Sequence, residues 1–322
     1  MSNMKEIKGH IESVRDTQKI TNAMYLISSN KMRKIKKELD KTKPYFEEVA
    51  LSIRRIFKTV KNVKSDYFYP TGDSYEIEGT YAYLVITADK GLAGAYNQNV
   101  IKEASKLMTK KHDKLLFVVG EYGRRYFTQK NIPIEKTFLY TAQNPTLARA
   151  REISNLLLDL YDDKKISKIY IIFTDYTPGK ESEVEVMRLL PFNRSEFLSK
   201  TELESEKRAT RGFVWPKGEI EFYPNAKEAL DNMISSYITG IIYGALVDSF
   251  CSEQNARMEA MESANRNAEE LIDKLTVEYN HTRQAAITRE ITEVSAGARA
   301  KKKKREKALE RKYKIFFKRR QR

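Results

Sequence analysis

The sequence predicts an α/β protein that carries a long α-helical coiled coil. Its two ends pair as antiparallel helices, and its middle forms an open α/β domain. Three observations lead there: two long, nearly proline-free terminal stretches with helical apolar periodicity, a central run of short apolar segments alternating with helical ones, and few breakers, with 13 Gly and 8 Pro in 322 residues. Charged residues make up 32%, above the usual quarter, and long solvated helices are one common cause.

The first helix is predicted from about Met4 to Thr59. Ile7, Ile11 and Val14 recur at spacings of four and three, and Met24, Ile27, Ile35 and Leu39 continue the stripe across polar gaps at Gln18 and Thr21. The pattern restarts at Thr42-Lys-Pro44, where Thr42 can cap, Pro44 suits a first turn, and Glu47 and Glu48 suit a helix start. A bend near Pro44 is expected. The returning helix is predicted over Ala226–Ala298, a stretch without proline. Met258, Met261, Ala264, Ala268, Leu271, Leu275, Tyr279, Thr282 and Ala286 form its stripe. Its length would be roughly 110 Å, which suits a coiled coil and not the interior of a compact domain.

Between them, Tyr81–Thr87, Leu115–Val119 and Ile169–Thr174 read as buried strands. Helical stretches near Asn97–Lys110, Glu121–Lys130 and Pro145–Tyr161 separate them. Such alternation indicates a Rossmann-like open layer with a largely parallel sheet. Glu183–Leu190 alternates as a further strand, and Asn193–Lys217 reads as a loop region. The domains expected are residues 1–60 (first helix), 61–222 (α/β domain), 223–300 (second helix) and 301–322 (basic extension).

The net charge of +15 is concentrated at one end. Residues 301–322 hold 13 Lys or Arg, starting with Lys301, Lys302, Lys303, Lys304 and Arg305, against Glu306 and Glu310, a net +11; the 300 residues before them carry +4. With Tyr313, Phe316 and Phe317, this run could grip nucleic acid or an anionic membrane, Leu309, Tyr313, Phe316 and Phe317 falling on or near one helical face, or it could stand as a solvated extension.

Composition excludes several chemistries. A single cysteine, Cys251, can form neither an internal disulfide nor a zinc cluster, and it fits a reducing compartment. His10, His112 and His281 are scattered, with no metal-ligand spacing. No G-x-S-x-G occurs. Met1–His10 lacks the apolar core of a signal peptide. The longest uncharged apolar stretch, 232–247, falls short of the ~20 residues that cross a bilayer, so a soluble protein able to sit beside a membrane is expected. The turn Thr87–Asn97 contains G-x-x-G after a strand. A phosphate could bind such a turn, but the spacing is neither the dinucleotide nor the P-loop pattern, and a tight strand-to-helix turn is the preferred reading. Asp89 and Asp175 at strand ends read as turn and capping residues, and Met258 and Met261 as packing.

Four segments resemble one known family. Ser13-Val-Arg-Asp-Thr-Gln-Lys-Ile-Thr-Asn-Ala-Met24 with Ser29-Asn-Lys-Met-Arg33 is similar to the amino-terminal signature of the F-type ATP synthase gamma subunits. Ile242–Val247 with Ser252–Ala264, and Tyr279–Glu293, resemble their carboxy-terminal helix. Asp89-Lys-Gly-Leu-Ala-Gly94 with Asn97 resembles their central motif. The resemblance covers about residues 4–298. It implies a non-catalytic rotor shaft standing inside a ring of three alpha and three beta subunits, and engaging an epsilon subunit and an ion-translocating ring, on the cytoplasmic side of the cell membrane as a peripheral component. It implies no cofactor on this chain, with ATP, ADP and Mg held by the partner subunits, and no nucleic acid partner. Matching the family's ring contacts are Gln18, Lys19, Ile20, Met24, Arg283, Gln284 and Thr288; for Ile20 and Met24, coiled-coil packing is the plainer role. Three departures stand out: Arg289 where the family usually has glutamine, Asn22 where it often has lysine, and the basic extension after Ala300. Continued as a helix, that extension would add roughly 33 Å and reach through or beyond the far end of the ring. It motivates a second expectation, a paralogous motor driving a load other than an ion ring.

Overall fold

The computed structural model describes residues 2–60, 63–69, 77–109, 112–199 and 222–320. The elements run α1 (Ser2–Thr59), β1 (Tyr81–Ile86), α2 (Tyr96–Met108), β2 (Lys114–Val119), α3 (Glu121–Gln129), α4 (Leu147–Asp162), β3 (Lys168–Thr174), β4 (Val184–Leu190), α5 (Arg194–Ser199) and α6 (Ala226–Arg320). The chain divides into two units: Met24–Ala260, and Met1–Ala23 together with Met261–Arg322.

In the larger unit, four strands lie in the order β2-β1-β3-β4. β1 pairs in parallel with β2 and β3, and β4 closes one edge antiparallel to β3. Successive side chains of a strand face opposite sides, and β1 shows this directly. Ala82, Leu84 and Ile86 join Phe117, Val119, Ile169 and Ile171 in one core, under α4, the inner part of α1 (Ile35, Ile53, Ile56) and the first turns of α6 (Leu230, Ile234, Ile238). Tyr81, Tyr83 and Val85 join Leu116 and Val118 on the other side, beneath Val100 and Ile101 of α2 and Phe127 of α3. Both faces are covered, which is why these strands read as unbroken apolar runs.

The same packing explains the most apolar stretch of α6. By length and composition that helix could cross a membrane, but 61% of the apolar window is buried inside the protein. It is a core helix of the α/β unit. Asn225 starts it by accepting the Glu228 amide at 2.9 Å while donating to the Glu228 carboxylate at 2.8 Å, a reciprocal cap.

Two local expectations are corrected. Thr42 caps nothing: α1 is continuous and contains Pro44, and the Thr42 hydroxyl donates back to the Leu39 carbonyl at 3.0 Å. Burial of Phe46, Ile53 and Ile56 against the same core outweighs the missing proline donor. The expected loop 193–217 begins with helix α5, whose Phe197 packs on Phe57, Phe68 and Phe192; residues 200–217 of that stretch lie outside the described residues.

In the smaller unit the helix ends pair. Ile7 and Ile11 bury against Leu275, flanked by Ile272 and Tyr279, and further along Thr21 meets Asn265. Rising numbers on one helix meet falling numbers on the other, so the pair is antiparallel. Its seam differs from the apolar stripe expected in α6: Leu271 is 38% exposed, and Ile272 takes the inward position. In the larger unit Ile27 is likewise 53% exposed while Ser28 is 2% exposed.

Candidate functional site

The residues that resemblance marks as contacts fall into separate bands. Gln18 sits half-buried on the seam and donates from Nε2 to Glu269 at 3.3 Å. Lys19 points outward, paired with Asp16 at 2.9 Å. Ile20 is 62% exposed, so it does not serve the coiled-coil packing considered for it. Arg283, Gln284 and Thr288 are all exposed. Gln18 stands level with Glu269, fourteen residues before Arg283, which separates the two bands by about 21 Å. The second band marks the place where α1 runs out. Thr282 and Ala286 are the last half-buried positions, and every side chain from Ile287 to Leu309 is exposed. Lys301, Lys302, Lys303, Lys304 and Arg305 belong to this unpaired helix.

Met24 belongs to the larger unit. It lines a cavity of 230 Å³ with Ser28, Lys31, Asp89, Gly91, Glu253 and Arg257, and is half-buried. Here the central motif is held in place. Asp89 acts as an internal anion: Oδ1 accepts the amides of Glu121 (3.1 Å) and Ala142 (3.2 Å), and Oδ2 accepts that of Gln143 (3.2 Å). Asn97 Oδ1 accepts the Ala88 amide at 2.9 Å. Asp89 and Asn97 thus serve the turn itself, one binding it to the segments at 121 and 142–143 and the other closing it on Ala88. Gly120, at the start of α3, has φ +93°, and an added Cβ would lie 2.2 Å from the Thr87 carbonyl oxygen. Only glycine fits there.

The loop is tied to α6 by Arg257, whose Nη2 donates to the Gly91 carbonyl at 3.0 Å while Nη1 pairs with Glu253. Burial pushes the Glu253 carboxyl up, and Arg257 opposes that rise. Asp175 serves its turn: its carboxylate accepts the Thr177 hydroxyl at 3.0 Å and its carbonyl the Ser252 hydroxyl at 3.0 Å.

A larger cavity of 740 Å³ opens between α1 and α6, lined by Lys36, Lys43, Phe46, Tyr237, Asp248 and Cys251 among others. Burial, then Asp175, push the Asp248 carboxyl up to about 7, with Lys43 acting against them. Burial pushes the Cys251 thiol up to about 12, which leaves it unreactive. Among the described residues no group of three His, Cys, Asp or Glu side chains could hold a metal ion.

Sequence reasoning did not single out Arg257, Glu253, Gly120 or Asp248. Only Gly120 left a readable signal, a glycine between an apolar strand and a helix.

A family model described as ATP synthase matches residues 3–300. The gamma chain of the ATP synthase of Acetivibrio thermocellus is 38% identical over 303 residues, covering 94% of this chain and 100% of that relative. Among solved structures, a chain of the Euglena gracilis mitochondrial ATP synthase superposes with a TM-score of 0.61 at 17% identity, over 93% of this chain and 94% of that one. A chain from the central stalk and c-ring of the Tetrahymena thermophila mitochondrial ATP synthase superposes at 0.53 with 22% identity, over 76% of this chain and 99% of that one. At these identities the two structures speak for the fold.

Proposed function

Because the chain belongs to the gamma-chain family of ATP synthases, we propose that its paired helices turn within a ring of three alpha and three beta subunits whose sites bind ATP, ADP and Mg. The chain is the central-stalk rotor of such an enzyme. One observation carries this: the relative is matched along its whole length, both long helices included. The chain itself performs no catalysis in this reading, and it holds no cofactor.

The geometry supports a mechanical role. An antiparallel helix pair has no rotational symmetry matching three surrounding subunits, so each neighbour meets a different face. A face that contacts one conformation of a neighbour better than another biases that neighbour's equilibrium. Rotation then passes the bias from site to site. Gln18, Lys19 and Ile20 would form one contact band, and Arg283, Gln284 and Thr288 a second, about 21 Å away; Met24 contributes from the larger unit. That unit would engage an epsilon subunit and the ion-translocating ring, with the complex on the cytoplasmic side of the cell membrane. The extension beyond residue 300 would carry the helix through or past the far end of the ring.

The test is to purify the tagged chain with its partners and measure ATP hydrolysis and coupled ion transport. Alpha, beta, epsilon and ring subunits should copurify. A variant with Arg283, Gln284 and Thr288 all replaced by Ala should assemble yet lose most coupled transport. Full coupling in that variant would remove the second band from the contact surface, and absence of alpha and beta subunits would overturn the reading.

A further inference from the structure

Two glycines of α6, Gly240 and Gly244, line the 740 Å³ cavity between α1 and α6. Glycine inside a helix is unfavourable relative to alanine, so each calls for a reason. Gly240 has one in the packing: an added Cβ would lie 2.4 Å from the Phe46 ring of α1. Gly244, one turn on, has no such neighbour, since an added Cβ would meet nothing within 4 Å. The space it leaves is part of the cavity itself.

Asp248 follows one further turn along and lines the same cavity. It is half-buried, and among the described residues no hydrogen bond or ion pair reaches its carboxylate. Of the two lysines nearby, Lys36 is turned to the Tyr176 ring, with Nζ 4.0 Å from the centroid, and Lys43 is exposed. The walls around the carboxylate are apolar and aromatic, with Leu39, Phe46, Tyr176, Tyr237, Ile241 and Val247. Three carboxylates, Asp40, Glu47 and Asp248, line the cavity against Lys36 and Lys43. That lining is net negative in a chain of net charge +15.

The volume lies within the roughly 300–1,000 Å³ that holds a small organic ligand. An unpartnered carboxylate among apolar walls favours a cation, and aromatic faces add to the attraction. An anion entering there would meet a like charge. We propose that this cavity binds an aromatic organic cation, with its charged group against the Asp248 carboxylate and its apolar body in the space beside Gly244. Every lining residue belongs to the larger unit, so the site does not depend on the rotor reading.

Such binding is linked to pH. The groups facing Asp248 are Lys36 and Lys43, with Asp40 and Glu47, on α1, Asp175 after β3, Glu185 on β4, and Cys251 on α6 itself. Burial, then Asp175 and Glu185, hold the Asp248 proton up to about 7 against Lys43 and Lys36. A bound cation takes that proton's place, so affinity should rise as pH approaches 7 and level off above it.

The experiment titrates the assembled complex, carrying the full chain, with three fluorescent probes of one shape: naphthylmethyl-trimethylammonium, neutral naphthylmethanol and anionic naphthylacetate. Gly244→Leu fills the open space and should unfold no lower than wild type, so binding at this site is the part of each titration that it removes. The cation should bind there about tenfold or more tightly than the alcohol, and the acetate should not bind there. Asp248→Asn should bring the cation down to the level of the alcohol. Between pH 6 and pH 8 the ionised fraction of Asp248 rises from about one-tenth to about nine-tenths, so the cation should bind about tenfold tighter in wild type and equally in the Asn variant. Site binding of the acetate as tight as that of the cation would overturn the proposal, because the lysines would then be the anchor. Equal binding of all three probes would reduce the cavity to an apolar groove. Titrations unchanged by Gly244→Leu, or a preference for the cation that survives Asp248→Asn, would remove the site.

Discussion

Replacing Asp89 tests whether the central motif is a structural clamp. Its carboxylate accepts three amides from two segments far apart in sequence, Glu121 at the start of α3 and Ala142 and Gln143 after it. A hydrogen bond to a charged acceptor contributes about 1.5–3 kcal/mol when well formed and shielded. These are long, at 3.1–3.2 Å, and that of Gln143 is exposed, so about 1 kcal/mol for each of the two shielded ones is realistic. Asp89→Ala should therefore cost about 2–3 kcal/mol locally. Asp89→Asn keeps one acceptor oxygen and turns an NH2 toward a remaining amide, so it should cost about half as much. Hydrogen exchange followed by mass spectrometry reads this directly. Since 1.36 kcal/mol is a factor of ten, peptides spanning 120–123 and 141–144 should exchange roughly 30- to 150-fold faster in the Ala variant and by an intermediate factor in the Asn variant. Unchanged exchange in the Ala variant, or an Asn variant as fast as Ala, would refute the clamp.

Three further outcomes follow from the packing and charges. Gly120→Ala, which combines a positive φ with a Cβ 2.2 Å from the Thr87 carbonyl oxygen, should cost more than about 3 kcal/mol and give little folded chain, while Gly9→Ala, where an added Cβ meets nothing within 4 Å, should be neutral or slightly stabilising in thermal unfolding. Asp248 ionises near 3.8 when unfolded and at about 7 in the fold, so the folded state favours its proton; stability falls as pH rises from about 4 to about 7 and is level above. After discount for partial exposure, the loss is about 1–2 kcal/mol, and urea unfolding at pH 5 and pH 8 should show Asp248→Asn free of that decline. On the seam, Leu275→Ala should cost about 2 kcal/mol by removing the side chain that Ile7 and Ile11 bury. Thr21→Val with Asn265→Leu should be neutral or stabilising, as read by helix signal on heating.

The helices and strands were legible for different reasons. Strands β1, β2 and β3 are covered on both faces and therefore unbroken in the sequence, and the two long helices are nearly free of breakers. The seam was less legible. Hydrophobicity favoured Ile27 and Leu271, but position along the helix decides burial, and the inward places go to Ser28 and Ile272. A small hydroxyl can be buried where helices approach closely, which a search for apolar residues passes over. The contact residues came from resemblance; their separation into bands needed the antiparallel register, and that appears only when Gln18 is seen beside Glu269 and Thr21 beside Asn265. Asp248 was illegible for a different reason. Its rise comes from burial, then Asp175 and Glu185, against Lys43 and Lys36, residues on other elements that no local pattern links to it.

The polar rungs of the seam have a consequence for a rotor. In place of a continuous apolar stripe, the smaller unit has Gln18 bonded to Glu269 and Asn265 bonded to Asn22 and meeting Thr21. Such rungs contribute less stability than leucines would, but a polar pair has a partner in only one alignment, and a slipped register would leave it unmatched. A shaft that transmits torque is loaded along the direction in which its helices could slide past each other. Apolar burial is nearly indifferent to a shift of one heptad; the rungs are not. Near-neutral stability of the Thr21→Val and Asn265→Leu pair, combined with weaker coupling of hydrolysis to transport in the assembled enzyme, would separate those two roles. Unimpaired coupling would show that burial around Ile7, Ile11 and Leu275 suffices to hold the register under load.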